Sequence, residues 1–300
     1  MKPMQILLAA VAFGASVVVG GAVQAAPLYV ADYVASEDLS ANPWGVSVLN
    51  VQPGVAVTTS SSWRHGPLLG MEERMLPRQA IAVDGRIDVA GPYNHTYNLD
   101  GSGQVSTICG VCSSVRYYTD GTTDGRYNYT IGPETVSSAT VGIWRTDRDW
   151  RNEYFLFPIT AFLDVGEKAY GITYDPGSLS LWVAATAGSA NTRFLELSLD
   201  GTTLKSQFSK DYVGASALAM DYADDTLWSV PYGDRYSDSY FLTQFNRQGD
   251  QISYAQITAD HASIGGAEFN LGSRTVPEPN ALALLGLGLL GLGIARVRKG

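Results

Sequence analysis

The 300-residue chain is poor in the residues that most often carry chemistry, with two cysteines and three histidines. Cys109 and Cys112 are too few to build a disulfide scaffold. With His65, His95 and His261 scattered along the chain, they also lack the spacing of a zinc site. Positive charge is scarce as well: 20 Lys and Arg stand against 29 Asp and Glu, a net charge of −9. Nucleic acid is therefore excluded as a partner, because binding it requires Lys and Arg to neutralise phosphates. The sequence contains no Gly-x-Ser-x-Gly elbow, no Walker loop and no His-Glu-x-x-His, so no linear motif marks a nucleophile, a phosphate cradle or a metal-bound water.

What the chain does have is Gly (32), Tyr (17) and many Ser and Thr, with charged residues at only 16%. That balance suits short strands joined by tight turns and tells against both a helical bundle and disorder. The two ends differ from the rest. Lys2, the apolar stretch Ile6 to Val19 and the small-residue site Val23-Gln24-Ala25 read as a signal peptide over residues 1–25. At the other end, Val276-Pro277-Glu278-Pro279-Asn280 precedes fifteen residues, Ala281 to Ala295, without one polar side chain, and Arg296, Arg298 and Lys299 follow. A helix of that length spans roughly 22 Å at 1.5 Å per residue, short of a roughly 30 Å hydrocarbon core, so it suits temporary membrane insertion better than permanent anchoring.

The order of these C-terminal parts resembles the PEP-CTERM sorting signal of Gram-negative bacteria, over residues 276–300. The resemblance implies export through the inner membrane, transient anchoring there with the basic tail inside, and processing near Pro277–Pro279 by an exosortase-type enzyme. Release to the periplasm, cell surface or medium would follow. It also implies an association with exopolysaccharide and biofilm, and so a saccharide partner. Without its two ends the chain loses Lys2, Arg296, Arg298, Lys299 and Glu278, and residues 26–275 carry a net charge of −12.

Within 26–275 the sequence repeats. Asp84-Gly85-Arg86 through Gly91-Pro92 is echoed by Asp124-Gly125-Arg126 through Gly132-Pro133. Gly171-Ile172-Thr173-Tyr174-Asp175 with Leu181-Trp182 recurs as Ala217-Leu218-Ala219-Met220-Asp221 with Leu227-Trp228, the Asp and Trp pairs each 46 residues apart. Behind each Trp lies a hairpin, turned at Asp200-Gly201 and at Gln248-Gly249. Four strands per unit and a period of 40 to 51 residues between Asp84, Asp124, Asp175 and Asp221 predict an all-β propeller. Five blades are expected, with six possible and a β-sandwich as the alternative fold, flanked by a signal helix and a C-terminal apolar helix. Ser263 to Leu271 should close the ring against the N-terminal strand, and Trp182 and Trp228 should pack between blades. The pattern is loosely similar to that of bacterial secreted propellers.

Candidate sites are sparse. In an oxidising compartment, Cys109-Gly110-Val111-Cys112 between strand-like flanks reads as a possible disulfide closing a turn. The acidic turns at Asp120–Gly125 and Asp221–Asp225 lack the ligand spacing of a calcium loop, so no metal and no cofactor are expected. No catalytic residue is assigned. An enzyme would draw on the strand-end residues Asp84, Asp124, Asp175 and Asp221, and on Trp144 and Arg145 in a segment, Trp144 to Trp150, that otherwise reads as a solvated turn. The favoured expectation is a non-enzymatic binding or scaffolding propeller; the alternative is a secreted polysaccharide hydrolase or lyase, or a lactonase-like propeller.

Overall fold

Short alternating runs closed by glycine turns give twenty strands and no α-helix among the described residues of the computed structural model. These are 27–33, 44–52, 54–64, 80–91, 93–108, 119–135, 138–187, 191–211, 213–231, 239–258 and 263–273. The two terminal segments and their expected helices, with the sorting residues Val276, Pro277, Glu278, Pro279, Arg296, Arg298 and Lys299, lie outside them, as do Cys109 and Cys112. No helix of the described residues is long and apolar enough to cross a membrane. In chain order the first seven strands are β1 (Pro27–Tyr33), β2 (Trp44–Asn50), β3 (Thr58–Arg64), β4 (Ala80–Val83), β5 (Arg86–Ala90), β6 (Tyr93–Asn98) and β7 (Val105–Ile108). The next eight are β8 (Gly121–Thr123), β9 (Tyr127–Pro133), β10 (Val141–Asp147), β11 (Tyr154–Pro158), β12 (Lys168–Asp175), β13 (Ser180–Ala187), β14 (Asn191–Ser198) and β15 (Leu204–Asp211). The last five are β16 (Ala217–Asp221), β17 (Thr226–Val230), β18 (Ser239–Phe245), β19 (Gln251–Thr258) and β20 (Ser263–Phe269).

These strands form five antiparallel four-stranded sheets, the blades of a five-bladed propeller. Blade 1 is β20-β1-β2-β3, and blades 2 to 5 take β4–β7, β8–β11, β12–β15 and β16–β19 in order. The first and last of the described strands, β1 and β20, thus meet in blade 1, where Leu28 pairs with Phe269 and Val30 with Ala267. The innermost strands β20, β4, β8, β12 and β16 run parallel around the axis. Asp84, Asp124, Asp175 and Asp221 do occupy equivalent positions at their ends. The fifth equivalent is Asn270, three residues beyond the position that the 46-residue period marks, because β20 runs on to Phe269.

Blades stack through apolar seams. Trp228 joins Leu28, Val30, Leu242 and Phe269 between blades 5 and 1, and Trp182 joins Phe194, Phe245 and Met220 between blades 4 and 5. Both indoles are buried, as blade packing requires. A second device recurs at the turn between the third and fourth strands. Gly101, Gly201 and Gly249 adopt φ of +81°, +68° and +87° and lie flat on Trp63, Phe157 and Phe208 of the preceding blade, where an added Cβ would come within 1.8, 2.1 and 2.5 Å of the ring. In each, the glycine N–H bonds back to the carbonyl three residues earlier, at Asn98, Ser198 and Asn246.

The connections divide between two faces. On one, called here the turn face, first strands turn into second and third into fourth. The other, the loop face, carries the crossings between blades, including 159–167 and 213–216.

Candidate functional site

The innermost strand of each blade presents an unpaired edge to the axis, and buried N–H groups there need acceptors. Five blades bring these strands close enough for side chains to supply them. Asp120, just before β8 and fully buried, accepts at Oδ2 from the N–H groups of Ile172 (2.9 Å) and Leu218 (2.8 Å) and at Oδ1 from Gly121 (2.9 Å) and Ala267 (3.2 Å). One carboxyl therefore ties β8 to the inner strands of blades 4, 5 and 1. One layer on, Thr122 Oγ1 accepts from the N–H of Tyr174 at 2.9 Å, and Thr173 Oγ1 accepts from that of Met220 at 3.0 Å.

Glu268, on the closing strand β20, completes this axial cluster. Its buried carboxyl receives the Thr173 hydroxyl at 3.2 Å, the Tyr222 hydroxyl at 3.2 Å and the N–H of Phe269 at 3.1 Å. Burial pushes Glu268 up to about 8, and it pushes Asp120 well above the ordinary carboxylate range against the pull of its backbone donors. The two charges also oppose each other across the axis. Neither group is open to solvent, so this cluster holds the ring shut and is not poised for a substrate.

The strand-end carboxylates are brought to one face, yet each is occupied. Asp84 pairs with Arg148 at 3.1 Å, and Asp175 pairs with Arg247, whose Nη2 lies 2.8 Å from Oδ1. In both pairs the arginine comes from the third-to-fourth-strand turn of the next blade, so these aspartates pin blades together. Burial would raise Asp175, but Arg247, Ser178 and the Gly177 N–H hold it below the usual carboxylate range. Asp124 shapes its own turn, accepting from the N–H groups of Arg126 (2.8 Å) and Tyr127 (2.7 Å) and the Tyr129 hydroxyl (2.8 Å). Asp221 accepts from the Ala223 N–H at 2.9 Å, and burial with the charge of Asp224 raises it to about 6.

Trp144 to Trp150 is not a solvated turn. Its first half is β10; Trp144 is buried with its indole N–H on the Pro133 carbonyl at 3.2 Å, and Trp150 packs on Ala80, Ala82 and Ala90 of blade 2. Arg145 stacks between Tyr127 (4.4 Å) and Tyr154 (5.5 Å). Several residues that the fold makes central belong to no motif of the sequence. Asp88 is buried beneath Arg86 and Arg148, both within 3.0 Å; Asp120 and Glu268 meet at the axis from positions 148 residues apart. His95 contacts the Ser106 hydroxyl through Nδ1 at 2.9 Å, with the Gln104 amide 3.1 Å from that hydroxyl. Among the described residues no group of three or more His, Cys, Asp or Glu is arranged to hold a metal ion.

Residues 275–299 match the PEP-CTERM protein-sorting motif, which marks an exported protein processed at the membrane. No curated protein is similar to the chain in sequence. Among solved structures, the chain is similar to one from a nidogen/laminin complex, at 12% identity and a TM-score of 0.49, over 82% of this chain and 98% of that one. It is also similar to a protein of unknown function from Bacteroides caccae, at 8% identity and a TM-score of 0.47, over 81% and 98%.

Proposed function

We propose that the chain is a cargo propeller, exported on its N-terminal signal at 1–25, held briefly by 276–300, released by an exosortase-type enzyme near Pro277–Pro279, and acting outside the cell as a binding or scaffolding module for polysaccharide. Cys109 and Cys112 are read as closing a disulfide within it. The observation that carries the non-enzymatic part is the commitment of the carboxylates: Asp120 and Glu268 are sealed in the axis, while Asp84 and Asp175 are held by arginines of neighbouring blades. A propeller hydrolase would need such groups free at one mouth. Delivery is tested by comparing secreted and membrane-bound fractions of the wild type and a variant lacking Pro277 to Pro279; equal release of both would refute the sorting role. Binding is tested by probing a glycan array with the purified propeller, and a blank array would refute the saccharide reading.

A second reading, a secreted polysaccharide hydrolase or lyase, has one observation behind it. Asp221 lies on the turn face with its carboxyl raised to about 6, within the range of a general acid. Loss of polysaccharide cleavage in Asp221→Asn, with folding retained, would favour it; absence of cleavage by the wild type would remove it.

A further inference from the structure

The last described residues leave the ring at a defined place. After β20 the chain makes a 3-10 turn, Leu271–Ser273, across the turn face at the rim of the axis. Asn270 Oδ1 accepts from the N–H groups of Gly85 (3.0 Å) and Gly272 (3.1 Å), and Leu271 packs into the seam between blades 3 and 4. A Cβ on Gly125 would sit 3.7 Å from Leu271. The exit point is therefore fixed beside the axis and not on the outer wall.

From Ser273 to Pro277 is four residues, at most about 14 Å of extended chain, and to Ala281, where the apolar run begins, at most about 29 Å. An eight-residue inner strand such as β12 is itself about 26 Å long, so the loop face lies a full strand length farther from the motif than the turn face. Whatever handles residues 277–279 must work against the turn face. That face is acidic on balance: Arg148 and Arg247 sit against Asp84, Asp175 and Asp225, while Asp100, Asp124, Asp200 and Asp224 add further negative charge, and it would be repelled by anionic phospholipid. Basic protein surface is its electrostatic complement.

We infer that the turn face is a docking surface for a membrane-bound protein partner with a basic surface, which holds the propeller axis upright and directs the loop face away from the membrane. This rests on the sorting role of the tail and adds to it an orientation and a partner chemistry. A photo-crosslinking residue is placed in turn at Leu179 and Ala223, exposed in the first-to-second-strand turns, and at Val165, fully exposed on the loop face. The full-length chain is then irradiated in membranes. Leu179 and Ala223 should give several-fold more membrane-protein adduct than Val165, reduced by high salt. Equal or reversed labelling of a membrane-held chain overturns the orientation, and adducts to lipid in place of protein overturn the partner. An unprocessed chain, still carrying residues 276–300, that is found wholly in the soluble fraction overturns the sorting role itself.

Discussion

A carboxyl that is neutral in the folded ring and ionised in the unfolded chain makes stability fall as pH rises. Glu268 is that group: buried at the axis, it is raised to about 8 from an ordinary 4.5. Burial raises it against the pull of the Thr173 and Tyr222 hydroxyls and the Phe269 N–H, which donate to the carboxylate. Below the unfolded value both states hold the proton and the folded ring keeps its full stability. Between about 4.5 and about 8 only the unfolded chain releases it, so stability declines across that window and levels off above it. At about 1.4 kcal/mol per unit, the full decline attributable to Glu268 is at most about 5 kcal/mol.

Urea titrations of the purified propeller at pH 5, 7 and 9 measure this directly. The wild type should lose several kcal/mol from pH 5 to 9, while Glu268→Gln, an isosteric neutral group, should lose much less. Some slope will remain in the variant, since Asp120 shares the axis and shifts the same way, and Asp221 adds its own decline up to about pH 6. A wild type whose stability is flat or rises between pH 5 and 9 would refute the assignment, as would an unaltered slope in Glu268→Gln.

Three further outcomes follow from the same contacts. Gly201→Ala should destabilise by about 3 kcal/mol, because the new methyl meets the Phe157 ring at φ +68°, whereas Gly166→Ala, at φ +87° with nothing within 4 Å, should cost only about 1 kcal/mol; comparable losses in urea melts would dismiss the glycine latch. Asp120→Asn turns an amide donor toward backbone donors and should cost about 3 kcal/mol or more, read as a lowered melting temperature; a neutral effect would show that the axis does not depend on that carboxyl. Arg247→Ala should destabilise near neutral pH and flatten acid unfolding. Asp175, held low by Arg247, contributes stability above its unfolded value that is lost as pH falls, and an acid limb unchanged in Arg247→Ala would exclude this pair as its source.

The repeats announced the blades because each blade spends its hydrophobic residues locally: Leu181-Trp182 and Leu227-Trp228 recur for the same reason, each filling a seam with the next sheet. Strand-end aspartates were legible too, since turns select them whatever else they do. The axial cluster was not. Asp120 lies in a run of turn-like residues and Glu268 in an apolar strand, and only closure of the ring places them within reach of the same inner strands. Arg148 and Arg247 were equally hidden, because their partners lie 64 and 72 residues away in the preceding blade.

Blade number, left open between five and six by period alone, is written in the size of the inner-strand side chains. A ring of five draws its inner strands nearer the axis than a ring of six, and the residues that face a neighbouring inner strand must then be small. Ala80, Ala82, Gly121, Gly171, Ala217, Ala219 and Ala267 all lie on these strands. A Cβ on Gly121 would stand 2.7 Å from that of Ala80, and one on Gly171 would stand 2.9 Å from the backbone of Ala217. The same closeness leaves the inner N–H groups facing side chains in place of bulk water, so Asp120, Thr122 and Thr173 become their acceptors. Small residues at the seam and polar acceptors at the axis are thus two consequences of one geometry. A larger side chain at Gly171 should force blades 4 and 5 apart and break the Asp120 bonds to Ile172 and Leu218 together, seen as a joint loss of hydrogen-exchange protection at those two amides. Loss at one amide with the other still protected would show that the two strands are not held by a common closure.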